Sequence, residues 1–527
     1  MSSEFRSLVR LFALVPVLAA GLLVLLVPPA QANPADLFGM GAPSMGRGRA
    51  GIVLDADPFA VWRNPAAMGF APRDAASVVG FFGWMDFDCL GEETDTDPVT
   101  CERNVLYDGN QDGVVDHSEP SDYWLEEDYE GPTGLQLGYL RALGKWLRLG
   151  FTIALPPKRI VLFEQHDPYL PYYPRWRSWP HRVGVHLGAS GRITEGLHIG
   201  LGVTVLAQAR IDLSFEVDAL VTDDQIADQG TAGDLDVDLL INTEAIRADV
   251  RPALGPVAAV SWDLGNIVPK LKGLRLGVVY RHPIQIQVDP AVLQLDFNAL
   301  VQEIGSLGEV LIPIQTQIVY AATDFATPRQ VALGLGYTHP RFQLAVDLTW
   351  NQWSAIVPNA AQINEELTDI EIGLIDLNAQ VLNARVLEPL NFRDTITVRV
   401  GGELRPPALP LSGKLGSRLK EVGFVVRAGY GYDPAFIPEQ TGLTNFLDNG
   451  THTATLGLGV WTHDALQLMG GPIALDLFGQ LHILEPRTHT KDPEVAAAGY
   501  PEGWPTLGEV RSGGLVGVVG LGLSLSI

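Results

Sequence analysis

The stretch Trp146-Leu147-Arg148-Leu149-Gly150-Phe151-Thr152-Ile153-Ala154-Leu155 repeats with a period of two. Leu147, Leu149, Phe151, Ile153 and Leu155 fall on one face, and Trp146, Arg148, Gly150, Thr152 and Ala154 on the other. Side chains alternate across a strand, so this is a β-strand with one apolar face and one polar or small face. The same alternation returns at 182–190, where Val183, Val185, Leu187 and Ala189 oppose Arg182, Gly184, His186 and Gly188. It returns again at 395–405 and at 515–527.

Working outward, fourteen such segments are expected: 76–87, 132–140, 146–155, 182–190, 196–208, 250–263, 273–288, 328–338, 341–352, 394–405, 422–433, 452–462, 471–484 and 514–527. Roughly 9–11 residues suffice to cross a bilayer as a tilted strand. The connections alternate between long and short: 88–131, 141–145, 156–181, 191–195, 209–249, 264–272, 289–327, 339–340 and 353–393, with 406–421 the one poor fit. Short turns at one end and long loops at the other are what a membrane barrel with both termini on the turn side requires. A soluble sandwich has no reason to sort its loops. The fold class is therefore all-β: a transmembrane antiparallel β-barrel of fourteen strands spanning 76–527.

Composition agrees. The 527 residues are 46% hydrophobic and only 18% charged, with mean hydropathy +0.14, too apolar for a disordered chain. Lys and Arg number 36 against 61 Asp and Glu, a net charge of −25, so no basic surface exists for nucleic acid. Arg6 and Arg10 precede an uncharged apolar run, Leu11 to Val27, followed by Ala30-Gln31-Ala32. This reads as a secretory signal peptide over 1–32, the alternative being an uncleaved anchor. No later run of 18 apolar residues occurs. Export plus alternating strands places the chain in a Gram-negative outer membrane, in contact with its lipids and inserted by the barrel-assembly machinery.

Residues 33–75 do not alternate. Gly39-Met40-Gly41, Met45-Gly46-Arg47-Gly48 and Asn64-Pro65-Ala66-Ala67-Met68 punctuate short apolar pieces, as suits a compact segment inside a barrel. Here the sequence resembles the FadL-type long-chain fatty-acid transporters of Gram-negative outer membranes. The likeness rests on Met45-Gly46-Arg47, on Asn64-Pro65-Ala66-Ala67-Met68 and on Gly423–Pro434 (GFVVRAGYGYDP). The resemblance implies that 33–75 is a hatch plugging a fourteen-stranded barrel. It implies too that hydrophobic molecules are captured in an outer groove, here 209–249 and 289–327, and leave sideways into the membrane. The chain departs from the family in ending at Ile527 rather than an aromatic residue, and in its long outer loops. Asn64, Pro65 and Ala66 are the residues expected to hold the hatch: the Asn64 amide by bonding backbone within the turn, Pro65 by fixing φ. A structural or adhesive barrel is the alternative, and it would have no use for such a plug.

Loop 88–131 holds fifteen acidic residues and one basic residue, Arg103, and so supplies −14 of the net charge. Within it, Asp108-Gly109-Asn110-Gln111-Asp112-Gly113-Val114-Val115-Asp116-His117-Ser118-Glu119 matches the D-x-[DN]-x-[DN]-G-x₅-E calcium loop. Asp108, Asn110, Asp112, Asp116 and Glu119 supply side-chain oxygens and Val114 its carbonyl, making Ca²⁺ the expected structural ion; an acidic solvated loop is the plainer reading. Pro120 argues against a paired exiting helix. Cys89 and Cys101, with eleven residues between them in this loop, are expected to form a disulfide in an oxidising compartment, or else remain two thiols.

Arg148, Arg182, Arg275, Arg281, Arg399 and Arg427 fall on the lumen side, where they either meet a substrate carboxylate or pair with wall acids such as Asp347, Glu403 and Asp476. Arg148, Arg275, Arg399, Phe163 and Trp176 are the candidate substrate contacts, the last two from the aromatic loop 156–181. The apolar spacing in 289–327 and 353–393, for instance Ile363, Leu367, Ile370, Leu374, Leu377 and Val381, suggests loop helices on the rim. No G-x-S-x-G elbow or metal-spaced His pair appears, so no enzyme is expected.

Overall fold

The computed structural model describes residues 35–87, 104–107, 117–120, 129, 131–156, 172–178, 183–222, 236–301, 310–356, 371–372, 375–376, 390–410, 421–442, 444–463, 471–492 and 509–527. The signal-peptide segment, Cys89, Cys101, Phe163 and Arg182 lie outside the described residues, as do Asp108, Asn110, Asp112, Val114 and Asp116 of the calcium loop.

Fourteen strands form a closed antiparallel barrel. They are β1 Ala75–Phe87, β2 Thr133–Leu143, β3 Leu147–Leu155, β4 Gly184–Thr194, β5 Leu197–Thr222, β6 Asp236–Asp263, β7 Leu274–Arg281, β8 Arg329–His339, β9 Phe342–Gln352, β10 Thr395–Leu404, β11 Glu421–Asp433, β12 Thr451–Thr462, β13 Ile473–Thr490 and β14 Glu509–Ser526. Each strand pairs with the next, and β1 pairs with β14 from Ala75↔Ser526 to Phe87↔Gly514, closing the ring. The sheet counts seventeen strands because an inserted hairpin and the short piece Leu409–Pro410 join its edges.

Alternation explains the burial. In β12, Leu456, Leu458 and Val460 are exposed while Thr451, Thr453 and Thr455 are buried: the apolar face points out and the small or polar face points in. The same inversion holds in β3, where Leu147 and Leu149 face out and Arg148 and Thr152 are buried. An outward apolar band is favourable only against hydrocarbon, and a closed ladder is one of two structures that satisfy every backbone group there. Trp84, Tyr280, Trp350 and Tyr430 mark the loop end of the band, and Trp146 and Tyr337 the turn end, on the exposed surface. This is an outer-membrane barrel. No described helix is long and apolar enough to cross a membrane.

Three expectations are corrected. The region 289–327 is not helical: Ile284–Val301 and Val310–Thr327 pair as an antiparallel hairpin. Leu293, Leu295, Phe297 and Val301 in fact recur at period two, which suits a strand. Within 353–393, Glu371–Ile372 pairs with Ile375–Asp376 where Ile370 and Leu374 suggested one helical face; most of that loop lies outside the described residues. The strand expected over 273–288 is broken after Arg281, where Pro283 has no N–H to give. In addition, β5 and β6 pair as far as Thr222↔Asp236, so much of the expected loop 209–249 is strand.

Residues 35–70 lie against the inward faces of the strands. They comprise α1 Ala35–Phe38, α2 Ala42–Met45, α3 Ala60–Arg63 and a 3-10 turn, Pro65–Phe70. Inward glycines make the room. A Cβ on Gly200 would come 2.1 Å from the Ala66 nitrogen, and one on Gly429 2.2 Å from Gly48 N. Gly48 itself has φ +68 and approaches Tyr430 N, so no other residue fits there without strain.

Candidate functional site

Two wall glutamines hold the first turn of the N-terminal segment. Gln136 Nε2 donates to Gly39 O (2.8 Å) and its Oε1 accepts from Gly41 N (2.9 Å); Gln480 Nε2 donates to Phe38 O and Met45 O, both at 3.0 Å. Asp347, from β9, accepts from Gly51 N (2.6 Å) and Ile52 N (3.1 Å). Asn64 is fully buried. Its Nδ2 donates to Ile52 O (2.9 Å) and Ser261 Oγ (2.8 Å), and its Oδ1 accepts from Ala66 N (3.0 Å). Pro65 opens the 3-10 turn, and Ala66 O accepts from Ser190 Oγ at 3.1 Å.

Ions bind the same segment to the wall. Arg47, 1% exposed, pairs with Asp55 and lies 3.5 Å from Glu403. Glu403 and Asp476 both receive Arg427, each at 2.6 Å. Arg63 pairs with Asp57 (2.8 Å) and Asp55 (3.4 Å). Burying so many charges is tolerable only because each finds an opposite charge at hydrogen-bond distance.

Above this layer, on the loop side, lies a chamber. Its floor and sides carry Arg49, Arg63, Arg281 and Arg399, with Asp36, Asp347 and Asp433. Asp433 takes Arg49 (2.6 Å) and Arg399 (2.9 Å), and Arg281 donates to Trp62 O and Arg63 O. Among the described residues, the buried Nε–H of each of these four arginines has no hydrogen-bond partner. Among the described lining residues guanidinium groups outnumber carboxylates.

The roof is aromatic. Trp176, from the short helix Pro174–Ser178, meets Phe38, Phe87 and His482 with ring centroids 5.7–6.4 Å apart. Phe87 stacks on Tyr173 at 4.5 Å, and Trp353 stacks on Phe436 at 3.8 Å with Arg175 over the latter ring. Asp448 accepts from Phe436 N (2.7 Å) and faces Arg175; burial raises its carboxyl above the usual range against those pulls. The chamber thus has guanidinium groups at one end and the rings of Trp176 and Trp353 at the other.

The expected contacts divide. Arg399 and Trp176 meet in the chamber. Arg148 and Arg275 do not: Arg148 donates to the carbonyls of Ala71 (2.9 Å), Gly144 and Leu147, and Arg275 lies over Phe70 beside Asp263, all at the turn end. Of the wall acids, Glu403 and Asp476 pair with Arg427, whereas Asp347 takes backbone N–H groups. Arg49, Asp433 and Trp353 were missed. Arg49 and Trp353 lie in or beside segments without alternation, and nothing local marks them. Within the calcium loop, Glu119 stands in a short strand, His117–Pro120, paired with Asn104–Tyr107.

No protein-family model matches this chain, and neither does any curated protein. Among solved structures it is similar to a Pseudomonas aeruginosa FadL homologue at 15% identity and TM-score 0.52, over 95% of this chain and 99% of that one. The Ralstonia pickettii toluene transporter TbuX (12% identity, TM-score 0.43) and the P. putida toluene transporter TodX (14%, 0.45) each match 93% of this chain and 99% of theirs. At these identities the likeness to the FadL homologue is one of fold.

Proposed function

We propose that this outer-membrane barrel, which shares its fold with a FadL homologue, is a passive channel for hydrophobic molecules with an acidic head, long-chain fatty acids being the fitting class. The observation that carries the reading is the chamber: among its described lining residues guanidinium groups outnumber carboxylates, and the rings of Trp62, Trp176 and Trp353 line the same space, above a segment that occupies the lumen. A carboxylate is matched by guanidinium, and the tail gains by leaving water. Residues 35–70 act as a hatch, so the barrel is no open aqueous pore. The outer loops capture substrate, which leaves laterally into lipid because its tail has no reason to re-enter water.

The rest of the reading concerns the outer loop and the route to the membrane. Ca²⁺ at Asp108–Glu119 would stiffen the loop; the ladder Tyr107↔His117 supports this by bringing both ends of 108–116 together. Chelation should then speed protease cleavage within 88–131 on intact cells, and Asp112→Ala should mimic it. A Cys89–Cys101 disulfide would close the same loop. A signal peptide over 1–32 and the barrel-assembly machinery would deliver the chain to its membrane. The test of the whole is uptake of a labelled long-chain fatty acid by cells expressing the protein. Arg399→Ala should reduce it at least fivefold, and uptake no greater than in cells lacking the protein would refute the proposal.

A further inference from the structure

The turn end of the barrel, which faces the periplasm in such proteins, holds a cavity of its own. Its volume is about 440 Å³, inside the range of roughly 300–1,000 Å³ typical of small-molecule sites. Three consecutive turns build the rim, and backbone hydrogen bonds stitch them together. Arg192 N donates to Trp146 O (2.9 Å), joining the end of β4 to the β2–β3 turn. Asp263 N donates to Gly196 O (2.8 Å), joining the end of β6 to the β4–β5 turn. Gly196 has φ +88, and a Cβ on it would lie 2.1 Å from Asn266 Nδ2. The ceiling is the last part of the lumen segment, Gly69 and Phe70. His198, 5% exposed, packs edge-on against Phe70 with ring centroids 4.6 Å apart. The walls are therefore in place before any ligand arrives.

The charges in this cavity do not cancel. Glu195 is met by Arg192 (2.9 Å), and Asp263 by Arg275 (3.6 Å). Asp74, at the same end, is taken by Arg141 and by Ala142 N, both at 2.7 Å. Arg148 and Lys145 remain. Arg148 is 9% exposed; its Nε and Nη1 donate to the carbonyls of Ala71, Gly144 and Leu147, and no carboxylate pairs with it among the described residues. Lys145 stands exposed on the rim, without an ion pair among the described residues. A buried guanidinium lacking a counter-charge is costly, and an anion in the cavity would relieve it. In a chain of net charge −25, this cleft focuses positive potential at one spot.

We propose that the cavity is a binding site for a doubly charged phosphate group, with Arg148 as its fixed donor and Lys145 as its second counter-charge. Inorganic phosphate or a phosphate monoester carries about −1.5 to −2 at pH 7, which matches two unpaired cations; a carboxylate matches only one. Guanidinium presents paired planar donors to such a group, and ammonium adds a point charge. The phosphate comes either from a periplasmic solute or from a monoester lipid headgroup of the inner leaflet. The site lies at the opposite end of the lumen from the arginine chamber and does not depend on what that chamber takes.

The test titrates inorganic phosphate into the purified protein in phosphatidylcholine nanodiscs, without calcium, followed by calorimetry. One phosphate per chain should bind, with a Kd at or below about 1 mM. Lys145→Glu changes an exposed rim residue and should weaken binding at least tenfold while the barrel keeps its heat-shifted migration in gels. Arg399→Ala, in the chamber, should leave binding unchanged. Replacing part of the lipid with phosphatidic acid separates the two sources. A weaker apparent phosphate affinity there supports the site with a headgroup in it, and an unchanged affinity supports it with a solute phosphate. Absence of saturable binding overturns the site, as does equal binding in Lys145→Glu and wild type. Loss of binding in Arg399→Ala would put the phosphate in the chamber and overturn it as well.

Discussion

Asn64 satisfies three buried groups at once, two carbonyl or hydroxyl oxygens with its Nδ2 and the Ala66 N–H with its Oδ1. Asn64→Ala leaves those partners buried and unpaired, at about 1–3 kcal/mol each. The loss falls on the N-terminal segment rather than on the ladder, so the expected outcome is an intact barrel with a noisier, larger current in planar bilayers. A quiet trace in that variant would show that the turn holds without its amide. Arg427 is a second such residue. Arg427→Ala strips Asp476 of its only ion pair among the described residues and removes one partner of Glu403. Breaking a buried pair costs about 3–5 kcal/mol, to be read as a lower urea midpoint. Arg427→Leu combined with Asp476→Leu should recover part of it.

Strands respond to which face is changed. Leu458, outward and exposed on β12, should cost about 2–4 kcal/mol as Leu458→Arg if it lies near mid-bilayer. Thr455, three positions away on the inner face, accepts from Gly48 N (2.7 Å) and donates to Gly429 O (3.5 Å) through a hydroxyl that Ser keeps, so Thr455→Ser should be tolerated, as refolding yields would show. This asymmetry is also why the strands could be read from sequence: lipid admits almost nothing polar on one face, so period two is enforced at every crossing. Thirteen of the expected spans overlap single observed strands, and the break in the other was signalled by Pro283. The inserted hairpin escaped because its alternation, around Leu293 and Phe297, sits where the loop count demanded a loop. The Asn64 turn was readable because an Asn-Pro pair acts locally. The chamber was not: Arg49 meets Asp433 across 384 positions, and no spacing rule joins residues that only ring closure brings together.

For the whole molecule, the lumen segment predicts low conductance: steady, porin-sized currents from the wild-type protein would contradict a hatch. Removing residues 35–70 should open it, and would leave Asp347 facing water in place of the Gly51 and Ile52 N–H groups and Glu403 without Arg47. The seam between β1 and β14 carries a further consequence. It joins the first crossing to the last, and the lumen segment precedes both. The chain therefore cannot finish its ring and then stock it. Residues 35–70 must already rest within the curl of the growing sheet when that seam closes. Assembly order is thus written into the topology, and a delayed or mispositioned segment 35–70 should yield a sealed but empty cylinder, trapped for as long as that seam holds.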